Sequence, residues 1–227
     1  MYEQHWRYMK RIIELGDGPN VYARYNTNLS HINHRGINLY SDILSKLRDW
    51  QICASLDGTG KIGEYIRTGL KYDRWLENFA EGNKIATHSR QMRIDFTLTL
   101  PGMFEVERIG RLSTTLSAQI LAKVVFSFSP DIVMSPLALP RDLLHPWIDE
   151  ILLSLPADGS NSLRDILVQL KTRPTFAEQW PDTYQSGLIK GKRRTLELER
   201  IRKDQYTMQD ILAERPAVLE WWNSIDS

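Results

Sequence analysis

The chain has 227 residues with 29 basic and 28 acidic side chains, so it can bury a sizeable core and carries no global field that would draw in nucleic acid or an acidic membrane. Hydrophobic residues make up 42% and charged residues 25%, an ordinary globular balance. One cysteine, Cys53, excludes an internal disulfide or an all-cysteine metal site within one chain. "MYEQHWRYMK" lacks the apolar stretch of a signal peptide, and no apolar run approaches the roughly 20 residues of a membrane span. A cytoplasmic protein without a membrane partner is expected.

In chain order, "YEQHWRYMKRIIEL" places Trp6, Met9, Ile12 and Ile13 at helical spacing and "GDGPN" ends that helix. "VYARYNTNL" reads as a strand entering an Asn-rich turn. "INLYSDILSKLRDW" repeats apolar residues at Ile37, Tyr40, Ile43, Leu44 and Leu47, which predicts a second amphipathic helix. "QICASL" is a strand, and "GEYIRTGLKYDRWLENFAEG" a helical stretch broken near Gly69 and ending at Gly82. "MRIDFTLTL" is a strand closed by Pro101-Gly102, "EVERIGRLSTTLSAQILA" a helix, and "KVVFSFS" a further strand. Alternating strands and helices with short connections predict an α/β protein with a parallel sheet and right-handed crossovers. No strand is evident from "LPRDLLHPWIDEILLSL" onward; "PADGSN" reads as a linker, and residues 162–227 as a helical tail.

The stretch "CASLDGTGKIGEYIR" contains Gly58, Gly60 and Gly63 as G-x-G-x-x-G between a strand and a helix, with Glu81 about 20 residues beyond Gly60, the layout of a dinucleotide fingerprint. The flanking charges oppose that reading. Asp57 would face a pyrophosphate, and Glu64 would take the positive end of the helix. The glycines are read instead as an Asp-Gly turn.

Alternation puts Gln51, Cys53 and Ser55 on one side of their strand and Trp50, Ile52 and Ala54 on the other. Ser55 and Asp57 occupy its C-terminal end, and Asn26 and Asn28 the same end of the preceding strand. That edge is where α/β folds build ligand sites. The plainer alternative is that all four cap turns and helix starts. His31 and His34 in "HINH" have a metal-ligand spacing without an evident third ligand and are read as loop histidines. The basic run in "KGKRRTLELERIRKD" interleaves with Glu197, Glu199 and Asp204, the pattern of a solvated, salt-bridged helix rather than a nucleic-acid surface.

"YNTNLSHI" followed by "DWQICASLDGTGKIGEYIRTGLKYDRWLENF" resembles the middle of radical S-adenosylmethionine (SAM) enzymes, in the branch with twitch or auxiliary-cluster-like domains. Tyr25–Leu29, Ser55–Gly58, Glu64–Arg67, Trp75, Glu77 and Asn78 follow that family's pattern in order and spacing. "VMSPLALP" resembles its stretch after the last barrel strand, and "LELERIRKDQYTMQDILAERPAVLEWW" its helical ending, with Glu199 where Asp is more usual. The resemblance implies a partial (β/α) TIM-like barrel over residues 1–155 with a helical C-terminal segment over 156–227. It further implies that Ser55 contacts the SAM ribose, that Arg67 reaches the SAM carboxylate, and that Asn26, Asn28 and Asp57 shape the pocket. For Arg67 the alternative is an ion pair, and for the other three turn-making.

Intact members of that family use a [4Fe–4S] cluster on C-x-x-x-C-x-x-C to cleave SAM reductively to a 5′-deoxyadenosyl radical, which takes hydrogen from a substrate. Neither those cysteines nor the following Gly-Gly-Glu-Pro stretch is in this sequence. The chain alone is therefore expected to be inactive in radical chemistry, with any cluster ligands supplied by an N-terminal portion or by a separate cluster-bearing chain. The substrate is unspecified. A cluster-free barrel that binds a ligand or partner without catalysis, and an unrelated nucleotide-binding α/β protein using the glycine loop, are the other two readings.

Overall fold

A computed structural model describes residues 3–126, 132–156 and 161–226. The chain opens with helix α1 (Glu3–Glu14), strand β1 (Tyr22–Thr27) and a small hairpin of β2 (Asn33–His34) and β3 (Ile37–Asn38). Strand β4 (Asp49–Ser55), helices α2 (Gly60–Ile66) and α3 (Tyr72–Ile85), strand β5 (Met92–Leu98), helix α4 (Val106–Thr115) and strand β6 (Gln119–Val124) follow. Helices α5 (Arg141–Ser154), α6 (Asn161–Thr172), α7 (Phe176–Gln179), α8 (Pro181–Arg202), α9 (Met208–Leu212) and α10 (Pro216–Ser224) complete it. No strand occurs among the described residues after β6, as the loss of alternation there predicts. Among the described residues, no helix is long and apolar enough to cross a membrane.

The protein is α/β, with a four-stranded parallel sheet in the order β1-β4-β5-β6. The strands lie side by side in the order they leave the chain, as short strand–helix–strand units dictate. Paired residues share a face, so the register divides the sheet cleanly. Trp50, Ile52, Ala54, Met92, Ile94, Phe96, Leu98 and Ile120 form the apolar face and are buried. Tyr40, Trp75 and Phe79 are packed in the same core, with the rings of Trp75 and Phe79 stacked at 4.9 Å. Arg24, Asn26, Gln51, Cys53, Ser55, Arg93, Asp95, Thr97 and Lys123 share the opposite, polar face.

Three expectations need correction. Residues 37–47 do not form an amphipathic α-helix: Ile37–Asn38 is the second hairpin strand, followed by a π-turn over Leu39–Ile43 and a 3₁₀ turn over Leu44–Lys46. The Asn38 side chain accepts from the amides of Tyr40 and Ser41, while the Asp42 carboxylate accepts from the Asn38 amide at 2.7 Å. These local side-chain bonds compete with a regular helix, yet the apolar spacing still buries Leu39, Tyr40, Ile43 and Leu44. Gly82 does not end its helix, which runs on to Ile85. A Cβ at Gly82 would lie 2.6 Å from Met92 Sδ and 2.7 Å from Tyr40 Cζ, so this glycine lets α3 press onto β5. Finally, α4 stops at Thr115 and β6 begins at Gln119, earlier than the predicted boundary, because Ser117 turns the chain at φ 50°. Residues 127–129 of the predicted last strand, and most of the expected "PADGSN" linker, lie outside the described residues.

The helical tail meets the sheet directly at β6, where the Ala122 amide donates to the Ser162 hydroxyl on α6 at 3.0 Å, and also through α2. The Tyr65 hydroxyl donates to Glu199 on α8 at 2.7 Å, and the same carboxylate oxygen accepts the Met208 amide that opens α9. Lys192 on α8, buried, donates to the carbonyls of Trp222 and Ile225 and closes the end of α10. Of the acids expected on a salt-bridged surface, Glu197 pairs with Arg200 at 2.7 Å and Asp204 with Arg202 at 2.6 Å, whereas Glu199 is buried and bonds to Tyr65 and Met208 instead.

Candidate functional site: the carboxyl edge of the sheet

Parallel pairing brings the four strand-end positions to one edge. Asn26 stands opposite Cys53, and Ser55 opposite Asp95. Asn26 is exposed at this edge. Asn28 makes a turn: its side-chain oxygen accepts from the Ser30 hydroxyl at 2.8 Å and the Ser30 amide at 3.3 Å. Nearby, Asn78 donates to the Leu29 carbonyl at 2.7 Å and holds that residue in its left-handed conformation.

Asp57 and Arg67 are brought together. Asp57 Oδ1 accepts the Thr97 amide at 2.8 Å, extending the β4–β5 ladder by a side chain after the last backbone bond, Leu56 N–H to Asp95 O. Its Oδ2 lies 2.7 Å from Arg67 Nε, and Arg67 is the residue at which α2 ends. Burial raises the Asp57 carboxyl above the usual carboxylate range, opposed by the Arg67 guanidinium, the Thr97 amide and the more distant Lys123 ammonium. The ion pair uses one side of the guanidinium; the terminal nitrogens of Arg67 make no hydrogen bond to another described residue. Ser55 is 8% exposed and its hydroxyl has no hydrogen-bond partner among the described residues.

Two further groups complete the edge and were not read from the sequence. Asp95 is buried, and both its oxygens lie 3.1 Å from Lys123 Nζ on β6. Lys123 is paired with Thr97 in the register, one step nearer the carboxyl end than Asp95. The edge thus carries two carboxylates and two cations in contiguous pairs, with a free hydroxyl on the same face. The signal for Asp95 is its alternation with Ile94 and Phe96, in step with Arg93 and Thr97 on the same face. For Lys123 it is the charged position that opens the apolar run "KVVF".

The glycine loop is filled from within. Glu105, fully buried at the start of α4, accepts from the Thr59 amide at 2.6 Å and the Thr59 hydroxyl at 2.5 Å, and pairs with Arg108. This carboxylate sits at the N-terminal end of α2, where a phosphate would have to bind. A Cβ on Gly63 would stand 2.1 Å from the Gly58 carbonyl oxygen, so the outer glycines exist for mutual backbone contact. Glu81, the acid of the dinucleotide fingerprint, accepts from Asn38 at 2.7 Å and takes no part in the loop.

A [4Fe–4S] cluster does not fit the described residues. Cys53 is fully buried, with its thiol 3.7 Å from the Gln51 side-chain oxygen, and no group of three or more His, Cys, Asp or Glu side chains there could hold a metal ion. His34 stacks on Trp6 at 5.5 Å. The fold and this edge define an α/β protein with a polar, ion-paired site at the carboxyl ends of parallel strands. Compared with known protein families, curated proteins and solved structures, the chain matches none.

Proposed function

We propose that this chain is the C-terminal portion of a radical SAM-type (β/α) barrel and acts as a binding module for SAM, without cleaving it on its own. Four parallel strands in chain order, with a polar face leading to the carboxyl edge, support the barrel reading. The observation that carries the binding assignment is the unpartnered Ser55 hydroxyl on the face that also bears the Asp57–Arg67 pair. Ser55 offers a donor and an acceptor to a ribose hydroxyl. The terminal nitrogens of Arg67 offer parallel donors to a carboxylate, a geometry that a lysine would not supply. Asp57 aims the guanidinium, and the Thr97 amide in turn fixes Asp57.

SAM supplies a sulfonium centre with an adenosyl and an aminocarboxypropyl arm; this chain's residues bind the ribose of the first and the carboxylate of the second. With one cysteine in the sequence, no electron-transfer step is assigned to these residues, and the ligands of any cluster would come from an N-terminal portion or from a separate chain. Titration calorimetry with SAM and S-adenosylhomocysteine tests the reading. Saturable binding is expected, weakened about threefold to tenfold in Ser55→Ala and by more than about tenfold in Arg67→Met. Absence of saturable binding, or an affinity indifferent to both substitutions, sinks it.

A further inference from the structure

A cleft lined by none of Ser55, Asp57 and Arg67 lies between α2 with its following loop and the turn that ends α8. Its volume is about 570 Å³, within the range of small-molecule sites. Tyr65 and Leu70 form buried parts of the lining. Lys61, Lys71, Arg202 and Lys203 contribute cations and Glu64 and Asp204 carboxylates, a local excess of two positive charges in a chain whose formal net charge is only +1.

The carboxylates are already engaged. Asp204 lies 2.6 Å from Arg202, and Glu64 accepts the Tyr72 amide at 2.9 Å. Arg202 is fixed further by the Tyr65 carbonyl and the Thr68 hydroxyl, with its guanidinium 5.1 Å from the Tyr65 ring centre. Lys61 and Lys203, in contrast, form no ion pair with a described residue, and Lys61 Nζ stands 5.9 Å from the centre of the Tyr206 ring. Lys203 is also conformationally costly. It caps α8 at φ 58°, ψ 42°, the left-handed position that glycine usually takes. This costly position puts an exposed ammonium on the wall of the cationic cleft, where a glycine would put none.

We propose that this cleft binds a small organic phosphate. The phosphate is neutralised by the Lys61 and Lys203 ammonium groups, and a planar or sugar moiety lies along Tyr206. The site is independent of the SAM reading, because none of its lining residues belongs to the Ser55–Arg67 edge.

The test is calorimetric titration of the full chain with AMP, inorganic phosphate and adenosine, at two salt concentrations. AMP is expected to bind saturably, more weakly at high salt, and adenosine not to bind at this site. Lys203→Gly is the decisive variant, since glycine suits the backbone there while the cation and its stem are removed. It should weaken AMP binding about tenfold while leaving the melting temperature unchanged or raised. Lys61→Ala should weaken it similarly, and Ser55→Ala should leave it intact, which separates this site from the SAM edge. No saturable AMP or phosphate binding at millimolar concentration, or binding unchanged in Lys203→Gly, overturns the proposal.

Discussion

Glu105 and Thr59 lie 46 positions apart in sequence and are joined by two hydrogen bonds, both donated to the same carboxylate oxygen. The Thr59 hydroxyl, which at this helix-capping position could close the first turn of α2, turns away to Glu105 instead. The start of α2 and the start of α4 are thereby locked through one buried acid.

Replacing Glu105 by alanine leaves the Thr59 amide and hydroxyl without their acceptor in a poorly hydrated place. A loss of about 2–3 kcal/mol is expected, read as a lower urea midpoint at unchanged m-value. Glu105→Gln keeps an acceptor oxygen and should lose less.

Gly60 and Gly63 separate two uses of glycine in one loop. Gly60 has φ 48° and open space around a would-be Cβ, so Gly60→Ala should cost only about 1–2 kcal/mol. Gly63→Ala would drive a methyl into the Gly58 carbonyl and should cost about 3 kcal/mol or more. Equal costs in thermal unfolding would contradict the backbone contact.

Asp57 sets a pH dependence of a defined sign. Burial raises its folded carboxyl above the unfolded value, so the folded state holds this proton more tightly. Its contribution to stability is greatest below the unfolded carboxyl's range and is lost as pH rises through the folded one. Arg67→Met removes the largest opposing influence and should extend that loss to higher pH. Carboxyl titration by NMR, in the parent and in Arg67→Met, reads the shift directly.

Tyr65 ties α2 to the tail. Burial, reinforced by the neighbouring Glu199, pushes its phenol well up and keeps it a hydrogen-bond donor throughout the ordinary pH range. Tyr65→Phe should cost about 1–2 kcal/mol in urea unfolding, and tail cleavage by a protease should accelerate. Unchanged stability and cleavage would show that Glu199 is held by the Met208 amide alone.

The strands of the sheet were legible because Trp50, Ile52 and Ala54 alternate with polar or small residues, and because Ile94 and Phe96 bracket Asp95. Ser55 and Asp57 were legible as strand-end groups for the same reason. The region around Tyr40 misled, since its apolar spacing fits a helix while Asn38 and Asp42 redirect the backbone bonds. Glu105 was opaque because its partner is distant in sequence. The Asp95–Lys123 pair was opaque because it exists only once β5 and β6 align. Arg67 was read in two ways, as a ligand contact and as an ion pair; the geometry supplies the pair and leaves its outer nitrogens open.

The polar face of the sheet also has a thermal consequence. Parallel sheets ordinarily bury apolar side chains on both faces. Here Arg24, Gln51, Arg93, Asp95 and Lys123 occupy one of them. Unfolding exposes less hydrocarbon from these strands than from a sheet buried twice over, and the polar groups it exposes lower the heat-capacity increment. The sheet therefore contributes to a shallow dependence of stability on temperature, with a broad maximum and a gradual approach to cold denaturation.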